Sequence, residues 1–339
     1  MSRYAFTSRL LKNTCAAAGT LIGTLLIASA AHASSTLPTI VKPLGTYADA
    51  SSLNSAVVYA QQNQGVLIRA PWNALEPSPG VFNMTAITNQ LALIKSTNTP
   101  WSLAVVAGPS SPTWLYAAPY YVKTLTVSTP NGSAVVPQFW DANLQTQLSG
   151  LATALAKQFA SNPNLKLIYL PQMSANGVEG HFNGTSDTTL TSQGFTSTLW
   201  ANAVIQAAVA FGKAFPLKPI AIELHYILSS ASAGQSIMQS IKSNPAMLNQ
   251  IGVAMWWLSG KTSYQPDLLT AFSTFPGQVY AQLIDQSANT SSFLNNDYTT
   301  AYTQAEQLHI RYVEPWDADV SSQKWVSLFQ SFNTYAGAP

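Results

Sequence analysis

Charge is what this chain has least of. Asp, Glu, Lys and Arg together make up 8% of its 339 residues, so Ser, Thr, Asn and Gln must form most of the solvent-facing surface. A surface so poor in cations offers no polyanion-binding face, and nucleic acid is not an expected partner. Cysteine is nearly absent as well: Cys15 is the only one. It precedes an apolar run instead of following it, which is not where a lipid-anchored cysteine sits, and it leaves the rest of the chain without a disulfide framework. Histidine numbers four, with no H-x-H or H-E-x-x-H spacing. Nor is there a G-x-S-x-G elbow, a phosphate-binding Walker loop or a dinucleotide glycine fingerprint. No metal and no cofactor is therefore expected.

Long hydrophobic runs are missing too, except at the start. Arg3, Arg9 and Lys12 precede "AAAGTLIGTLLIASA", which ends in Ala31-His32-Ala33. A cationic head, a short apolar core and a small-residue end read as a secretory leader over 1–33, and the run is too short for a membrane span. Its removal leaves twelve basic residues against thirteen acidic ones, a balance of −1. The expectation is a secreted protein, extracellular or periplasmic, with no membrane association after cleavage, and a monomer.

Residues 34–339 alternate short aliphatic or β-branched runs with amphipathic segments. Eight such runs stand out: 40–48, 65–72, 101–108, 165–173, 219–227, 251–258, 278–286 and 310–316. Most are apolar throughout, as parallel strands buried on both faces must be. Between them Leu144, Leu148, Leu151, Leu155 and Phe159 recur at helical spacing behind Asp141, a good N-cap. Ile87, Leu91 and Ile94 do the same, as do Trp325, Leu328 and Phe332. Eight strand–helix units without a linker predict a single α/β domain, a (β/α)8 barrel over 34–339. Two stretches, 109–140 and 174–195, read as irregular loops on the face that carries active sites in such barrels.

Thirteen acidic residues can then be sorted by position. Asp49, Asp141, Asp267 and Asp297 fall at expected helix starts, Asp187 in a loop, and Glu306 on a helix surface. Glu179, Glu223, Asp285, Glu314, Asp317 and Asp319 remain at strand ends, and Glu76 follows the second strand. In "LEPSPG" Glu76 is expected to hydrogen-bond the turn. Cleavage of a glycosidic bond needs two carboxyl groups, one to protonate the leaving oxygen and one to attack or to activate water. Glu179, flanked by Gly177 and Gly180 beyond the fourth strand, is the candidate acid. Its partner is Glu314, at the end of the eighth strand, or Asp285, at the end of the seventh. Each has a second reading, Glu314 as the ion-pair partner of Arg69 and Asp285 as a helix cap. Glu223 and His225 share one face of the fifth strand, as substrate ligands or as a buried pair. "EGH" at 179–181 is a weak metal-binding signal beside four-ligand zinc motifs.

Sugar rings present apolar C–H faces that stack on aromatic side chains. Trp72, Trp114, Trp257 and Trp316 lie in or just after strands and are expected, with Arg69 and His225, to bind a carbohydrate. Trp256 and Trp257 point to opposite sides of the sixth strand, so only one of them faces the barrel mouth.

"GVLIRAPWNALEPSPGVFN" followed by "ITNQLALIKSTNTPWSLAVVAGPSSPTWL" resembles the second-to-third-strand segment of (β/α)8 glycoside hydrolases, the clan that includes cellulases and β-galactosidases. The pattern there is R-x-x-W-x-x-L-E-P-x-x-G, a helix, and a strand ending in G-x-x-x-P-x-W. "VPQFWDANLQTQLSGLATALAKQFASNPNLKLIYL" resembles the helix leading into their fourth strand. The resemblance covers about half of residues 34–339 and implies an acid/base Glu after the fourth strand and a nucleophilic Glu after the seventh. Glu179 matches the first without the usual Asn-Glu pair. The seventh strand has no Glu, so Asp285 or Glu314 takes its place, or the barrel binds glycan without cleaving it. Glu179 and Glu314 on opposite strands would suit an inverting enzyme, whose carboxyls stand roughly 6.5 to 9.5 Å apart. The expected function is glycoside hydrolysis of a polysaccharide or oligosaccharide. A non-catalytic carbohydrate-binding or surface protein on the same scaffold is the alternative, and a metal-dependent hydrolase using Glu179 and His181 is a third.

Overall fold

Parallel strands rich in Val, Ile, Leu and Ala close on themselves in the computed structural model, which describes residues 37–49, 53–129 and 132–339. The leader expected over 1–33 lies outside the described residues. The strands are β1 (Gly45–Asp49), β2 (Gly65–Pro71), β3 (Trp101–Val106), β4 (Thr124–Thr129), β5 (Gly132–Pro137), β6 (Leu165–Tyr169), β7 (Ile220–Glu223), β8 (Ile251–Leu258), β9 (Val279–Leu283) and β10 (Tyr312–Glu314). All but β4 and β5 form one closed barrel in the order β1-β10-β9-β8-β7-β6-β3-β2. Every neighbouring pair in it is parallel. This is the (β/α)8 architecture, with helices between successive strands. No helix among the described residues is long and apolar enough to cross a membrane.

The helices form where the apolar spacing placed them. Asp141 caps the helix Ala142–Phe159, its Oδ1 accepting from the Asn143 and Leu144 amides at 2.9 and 3.2 Å. Leu144, Leu148, Leu151, Leu155 and Phe159 are all buried on its inner face. Ile87 and Ile94 of the helix Thr85–Ile94 are buried, and Leu91 packs partly against the same core.

Two layers of apolar side chains result. The larger lies between strands and helices. The smaller fills the barrel itself with Tyr47, Leu67, Leu167, Tyr169, Trp256, Tyr280 and Tyr312. Rings this large fit because small residues face them: a Cβ on Gly65 would stand 2.2 Å from the Tyr47 ring, and one on Gly252 2.7 Å from that of Tyr280. A side chain at either glycine would collide with a ring in a close-packed interior.

Three expectations need correction. The stretch 109–140 is not wholly irregular, since β4 and β5 pair antiparallel within it, from Thr124↔Pro137 to Thr129↔Gly132. Leu125 and Val127 turn inward while Thr124 and Thr126 face out, the period-two alternation of a half-covered strand. Asp49 is not at a helix start but is the last residue of β1, 1% exposed. Asp187 opens a short helix, Asp187–Ser192, behind the N-cap Ser186.

Candidate active site

The chain leaving β6 folds back across the barrel mouth. The Ala107 and Gln172 amides both donate to the Gly177 carbonyl, at 3.1 and 3.0 Å, and the Ala175 amide donates to the His181 carbonyl at 3.1 Å. The fold-back requires Gly177. Its φ is +88°, and a Cβ there would lie 2.4 Å from the Ala107 carbonyl oxygen. Asn176 then fixes Glu179: its Oδ1 accepts from the Val178 and Glu179 amides at 3.1 and 2.9 Å, and its Nδ2 donates to Glu179 Oε1.

Glu179 Oε2 faces two histidines. His181 Nε2 lies 3.7 Å away and His225 Nε2 3.9 Å away. The Glu179 side chain keeps 21% of its surface in solvent. Its pKa is nonetheless pushed up to about 7 by burial, with Glu223 adding to the rise and His225, Arg69 and Asn176 opposing it. Burial depresses His181 to about 3 and His225 to about 4, so both rings are neutral at pH 7.

Behind His225 stands Glu223, the last residue of β7. Its Oε2 accepts from the Gly180 amide at 2.6 Å and its Oε1 from the Trp256 amide at 3.1 Å. His225 Nδ1 lies 2.8 Å from Oε1 and 3.0 Å from Oε2. Burial pushes Glu223 up to about 8. The two therefore form a pair beneath the mouth, and at 5% exposure His225 faces Glu179 more than it faces open solvent.

Glu314 sits on the opposite side of the barrel, at the end of β10, and is completely buried. Tyr169 and Tyr312 donate to its Oε1 at 3.0 and 2.5 Å, and Gln282 Nε2 donates to its Oε2 at 3.0 Å. Burial and then Asp49 push its pKa up to about 8, against the Tyr312 and Gln282 hydrogen bonds and the Arg69 charge. Arg69 pairs with Asp49 instead of Glu314: Nε to Oδ1 is 2.9 Å and Nη2 to Oδ2 2.6 Å, a bidentate fork. The guanidinium also lies 4.7 Å above the Trp256 ring and keeps 25% of its side chain in solvent.

The remaining candidates scatter. Asp285 accepts from the Gln286 amide, Asn289 Nδ2 and Ser292 Oγ at 2.8, 2.7 and 2.9 Å, bracing its own loop. Trp72 does not begin a cleft wall, for it is fully buried and donates to Glu76 Oε2 at 2.9 Å. Glu76 Oε1 accepts from the Gly80 amide at 3.0 Å, bracing the turn. Trp257 is the outward member of its pair, packed on Tyr264 and Phe272 and donating to the Leu224 carbonyl at 2.8 Å. Both are withdrawn from the sugar-facing set. Trp114 and Trp316 are half-buried, their indole N–H groups held by the Glu76 and Leu283 carbonyls at 3.0 and 2.9 Å.

Sequence reasoning passed over Asp49, Asn176, Trp256 and Gln282. Asp49 had a usable signal, since it closes an apolar strand just where β1 opens onto the mouth. Gln282 had none, because a strand glutamine is chemically ordinary until its neighbours are known.

Glu179, Glu223 and His225 bring ligand atoms within 4.8 Å of one another. They make a poor cation cage. Both Glu223 oxygens already accept main-chain amides and meet the Nδ1 edge of the His225 ring, and Glu179 stands 3.9 Å from Nε2. What the arrangement can do is move protons.

No family profile and no curated protein matches the sequence. Solved structures do match in fold. The catalytic domain of a β-amylase from Paenibacillus polymyxa is 10% identical with a TM-score of 0.56, over 88% of this chain and 100% of that one. A β-galactosidase from Rahnella sp. R3 is 11% identical with a TM-score of 0.55, over 88% of this chain and 57% of that one. An endo-β-1,4-xylanase from Gloeophyllum trabeum is 13% identical with a TM-score of 0.51, over 81% and 84%. At such identities the likeness is one of fold. The chain shares the (β/α)8 barrel of these glycoside hydrolases, and no family is assigned to it.

Proposed function

We propose that the chain is an exported glycoside hydrolase-like protein that cleaves glycosidic bonds of a polysaccharide or oligosaccharide at the carboxyl-terminal mouth of the barrel. The observation that carries this reading is the state of Glu179. Of Asp49, Glu179, Glu223 and Glu314, it alone keeps an appreciable part of its side chain in solvent, 21% against 1% or less. Its pKa is pushed up to about 7, so near neutrality a large share of the molecules carries the proton and can release it to a leaving oxygen. In this reading the glycosidic C–O bond breaks toward the leaving oxygen, which takes the Glu179 proton. Water attacks the anomeric carbon and passes its proton to Glu314 in its ionised form, a minority at pH 7 because burial raises Glu314 to about 8, so turnover in this reading peaks between about pH 7 and 8. Arg69, Trp114 and Trp316 hold the sugar at the rim.

One observation favours a second reading, carbohydrate binding without turnover. Glu314 has no exposed surface, and both its oxygens already accept hydrogen bonds. To act on water it requires Gln282 or a tyrosine to shift when the sugar enters.

Release of reducing sugar from a panel of starch, xylan, mannan, cellulose and galactosides separates the two. Hydrolysis by the wild type, lowered at least about 100-fold in kcat/KM by Glu179→Gln and by Glu314→Gln, supports the first. Full activity in both variants removes the carboxylate assignment. Glycan binding with no release by the wild type supports the second.

A further inference from the structure

The closed barrel sorts its few charges by face. Twelve of the thirteen acidic side chains stand at strand ends, in the loops after them or at helix starts, all on the mouth side. Glu306, in the last turn of the helix Thr299–Gln307, is the one at the opposite, amino-terminal face. Cations divide the other way. Lys95, Lys157, Lys213 and Lys242 stand at helix ends, and Lys42, Lys166, Lys218 and Arg311 where the chain enters β1, β6, β7 and β10. Eight cations therefore meet one carboxylate on that face, against four and twelve at the mouth. The overall balance of −1 conceals this division. Composition offers no polyanion-binding face because composition is blind to placement.

Helix dipoles account for half of the cluster, since a cation at a helix end faces unpaired carbonyls. They do not account for the four cations at strand entries. Lys166 and Lys218 stand side by side, two residues before the register pair Ile168↔Ile220, and like charges so placed repel. Burial and then the Lys166 charge lower the pKa of Lys218. Lys218 Nζ donates to the Asn162 carbonyl at 2.7 Å, Arg311 Nε to the Ala336 carbonyl at 2.8 Å and Lys42 Nζ to the Asn249 carbonyl. Among the described residues none of the eight forms an ion pair, so their charge is left for an external anion. Aliphatic groups are exposed between them: Leu37, Leu44, Val41 at 71% and Leu217 at 62%. Leu37, Ile40, Met247 and Ile251 line a groove of about 360 Å3 edged by Lys213, which continues the apolar surface inward.

We propose that the amino-terminal face of the barrel docks on an anionic lipid bilayer, its cations meeting headgroup phosphates while Leu37, Val41 and Leu217 enter the interface. Interleaved cations and aliphatic groups fit a surface that is charged outside and apolar within. A dissolved acidic polysaccharide would satisfy the cations and leave the aliphatic groups in water. Docked in this way, the barrel turns its mouth away from the lipid. The inference rests on the sign and place of surface groups and holds whether or not the barrel cleaves glycosides.

Vesicle co-sedimentation tests the docking. The chain from residue 34 on, which holds the entire barrel, is used so that the apolar leader cannot itself bind lipid. Vesicles of phosphatidylcholine alone are compared with vesicles containing about one-third phosphatidylglycerol, for which the affinity should be about tenfold higher or more and should fall as salt is raised. Lys166→Gln with Lys218→Gln should weaken that binding about tenfold or more, with no loss of stability in urea because a repulsion is removed. Val41→Ser with Leu217→Ser should weaken it too while keeping the salt dependence, and it decides the matter if the lysine pair fails to fold. Lys123→Gln with Lys261→Gln, on the mouth side, should leave binding unchanged. Slower amide exchange on vesicles at 213–218 and 242–250, but not at 285–297, fixes the orientation. Equal binding to both kinds of vesicle, full binding by the folded variants of the amino-terminal face, or protection at 285–297 overturns the proposal. Capture by dissolved polygalacturonate or duplex DNA with none by vesicles overturns it as well.

Discussion

Asp49 carries more of the site than its place in the sequence suggests. It is 1% exposed and is both partner and orienter of Arg69, whose guanidinium lies over Trp256 and near Gln282. Asp49→Ala leaves a partly buried cation without its counter-charge. Breaking buried pairs in this way costs about 3 to 5 kcal/mol, and because Arg69 keeps some solvent contact the lower end, about 3 kcal/mol, is expected in urea denaturation. The buried carboxyls also impose a pH dependence on stability. Glu179, Glu223 and Glu314 are raised from 4.5 to about 7, 8 and 8. A raised carboxyl binds its proton more tightly folded than unfolded, so its contribution is complete below the unfolded value and is lost as pH rises through the folded one. His181 and His225, lowered from 6.5 to about 3 and 4, act in the opposite sense, their contribution present above 6.5 and lost on acidification. Together these groups make stability fall most steeply between about pH 6.5 and 8, by up to about 1.4 kcal/mol per pH unit for each carboxyl. Glu314→Gln should flatten that limb in denaturation curves taken across the range. A flat wild-type curve would contradict the assignment.

At the scale of the element, the decisive piece is the turn between β6 and the helix that follows it. Glu179 reaches the mouth because Gly177 takes a left-handed conformation against the Ala107 carbonyl. Gly177→Ala meets both the unfavourable φ and the 2.4 Å contact. A loss of about 1 to 3 kcal/mol is expected, together with a fall in turnover larger than the stability loss explains, because the acid is displaced. Gly194→Ala serves as a control: its φ is +84° but nothing lies within 4 Å of a Cβ there, so it should lose stability without losing activity. The β4–β5 hairpin is held beside this turn by Gln193, whose Oε1 accepts from the Thr126 amide at 2.6 Å and whose Nε2 donates to the Thr126 carbonyl at 3.1 Å, and by Thr185 Oγ1, which accepts from the Ser128 amide at 2.7 Å. Gln193→Ala should speed hydrogen exchange at the Thr126 amide while leaving the barrel amides protected.

For the whole molecule, the seam between first and last strands decides closure. β1 and β10 share only the register pairs Gly45↔Tyr312 and Thr46↔Val313, with Asp49 bridging to Trp316 beyond. The final helix, Val326–Gly337, reinforces that seam through Asn333, whose Oδ1 accepts from the Thr46 amide at 2.8 Å while its Nδ2 donates to the Gln62 carbonyl at 2.8 Å. Asn333→Ala leaves the Thr46 amide unpaired, while the Gln62 carbonyl keeps the Thr46 hydroxyl at 3.0 Å, and should cost about 1 to 2 kcal/mol, read from chemical denaturation. Faster amide exchange at Thr46 than at β7 or β8 would place the loss at the seam.

The barrel was legible because its information is local. Apolar runs at 65–72 and 251–258 and helical spacing from Leu144 to Phe159 each specify an element without reference to the rest of the chain, and eight such units have few ways to pack. The β4–β5 hairpin was not read from the sequence: Thr124 to Thr129 alternates, but the run is short and lies within a long polar stretch. Glu179 could be found from its position after the fourth strand. Its company could not. That Arg69 takes Asp49 over Glu314, that Trp256 turns inward and Trp257 outward, and that Glu314 is sealed under Gln282 and two tyrosines depend on which side chains meet across strands far apart in sequence. By itself the sequence determined the elements, their order and the carboxylates available. Only the tertiary structure decided which of those carboxylates meets solvent and which is buried, because burial and pairing, and so the proton affinity of each group, are properties of the closed barrel and not of any one strand.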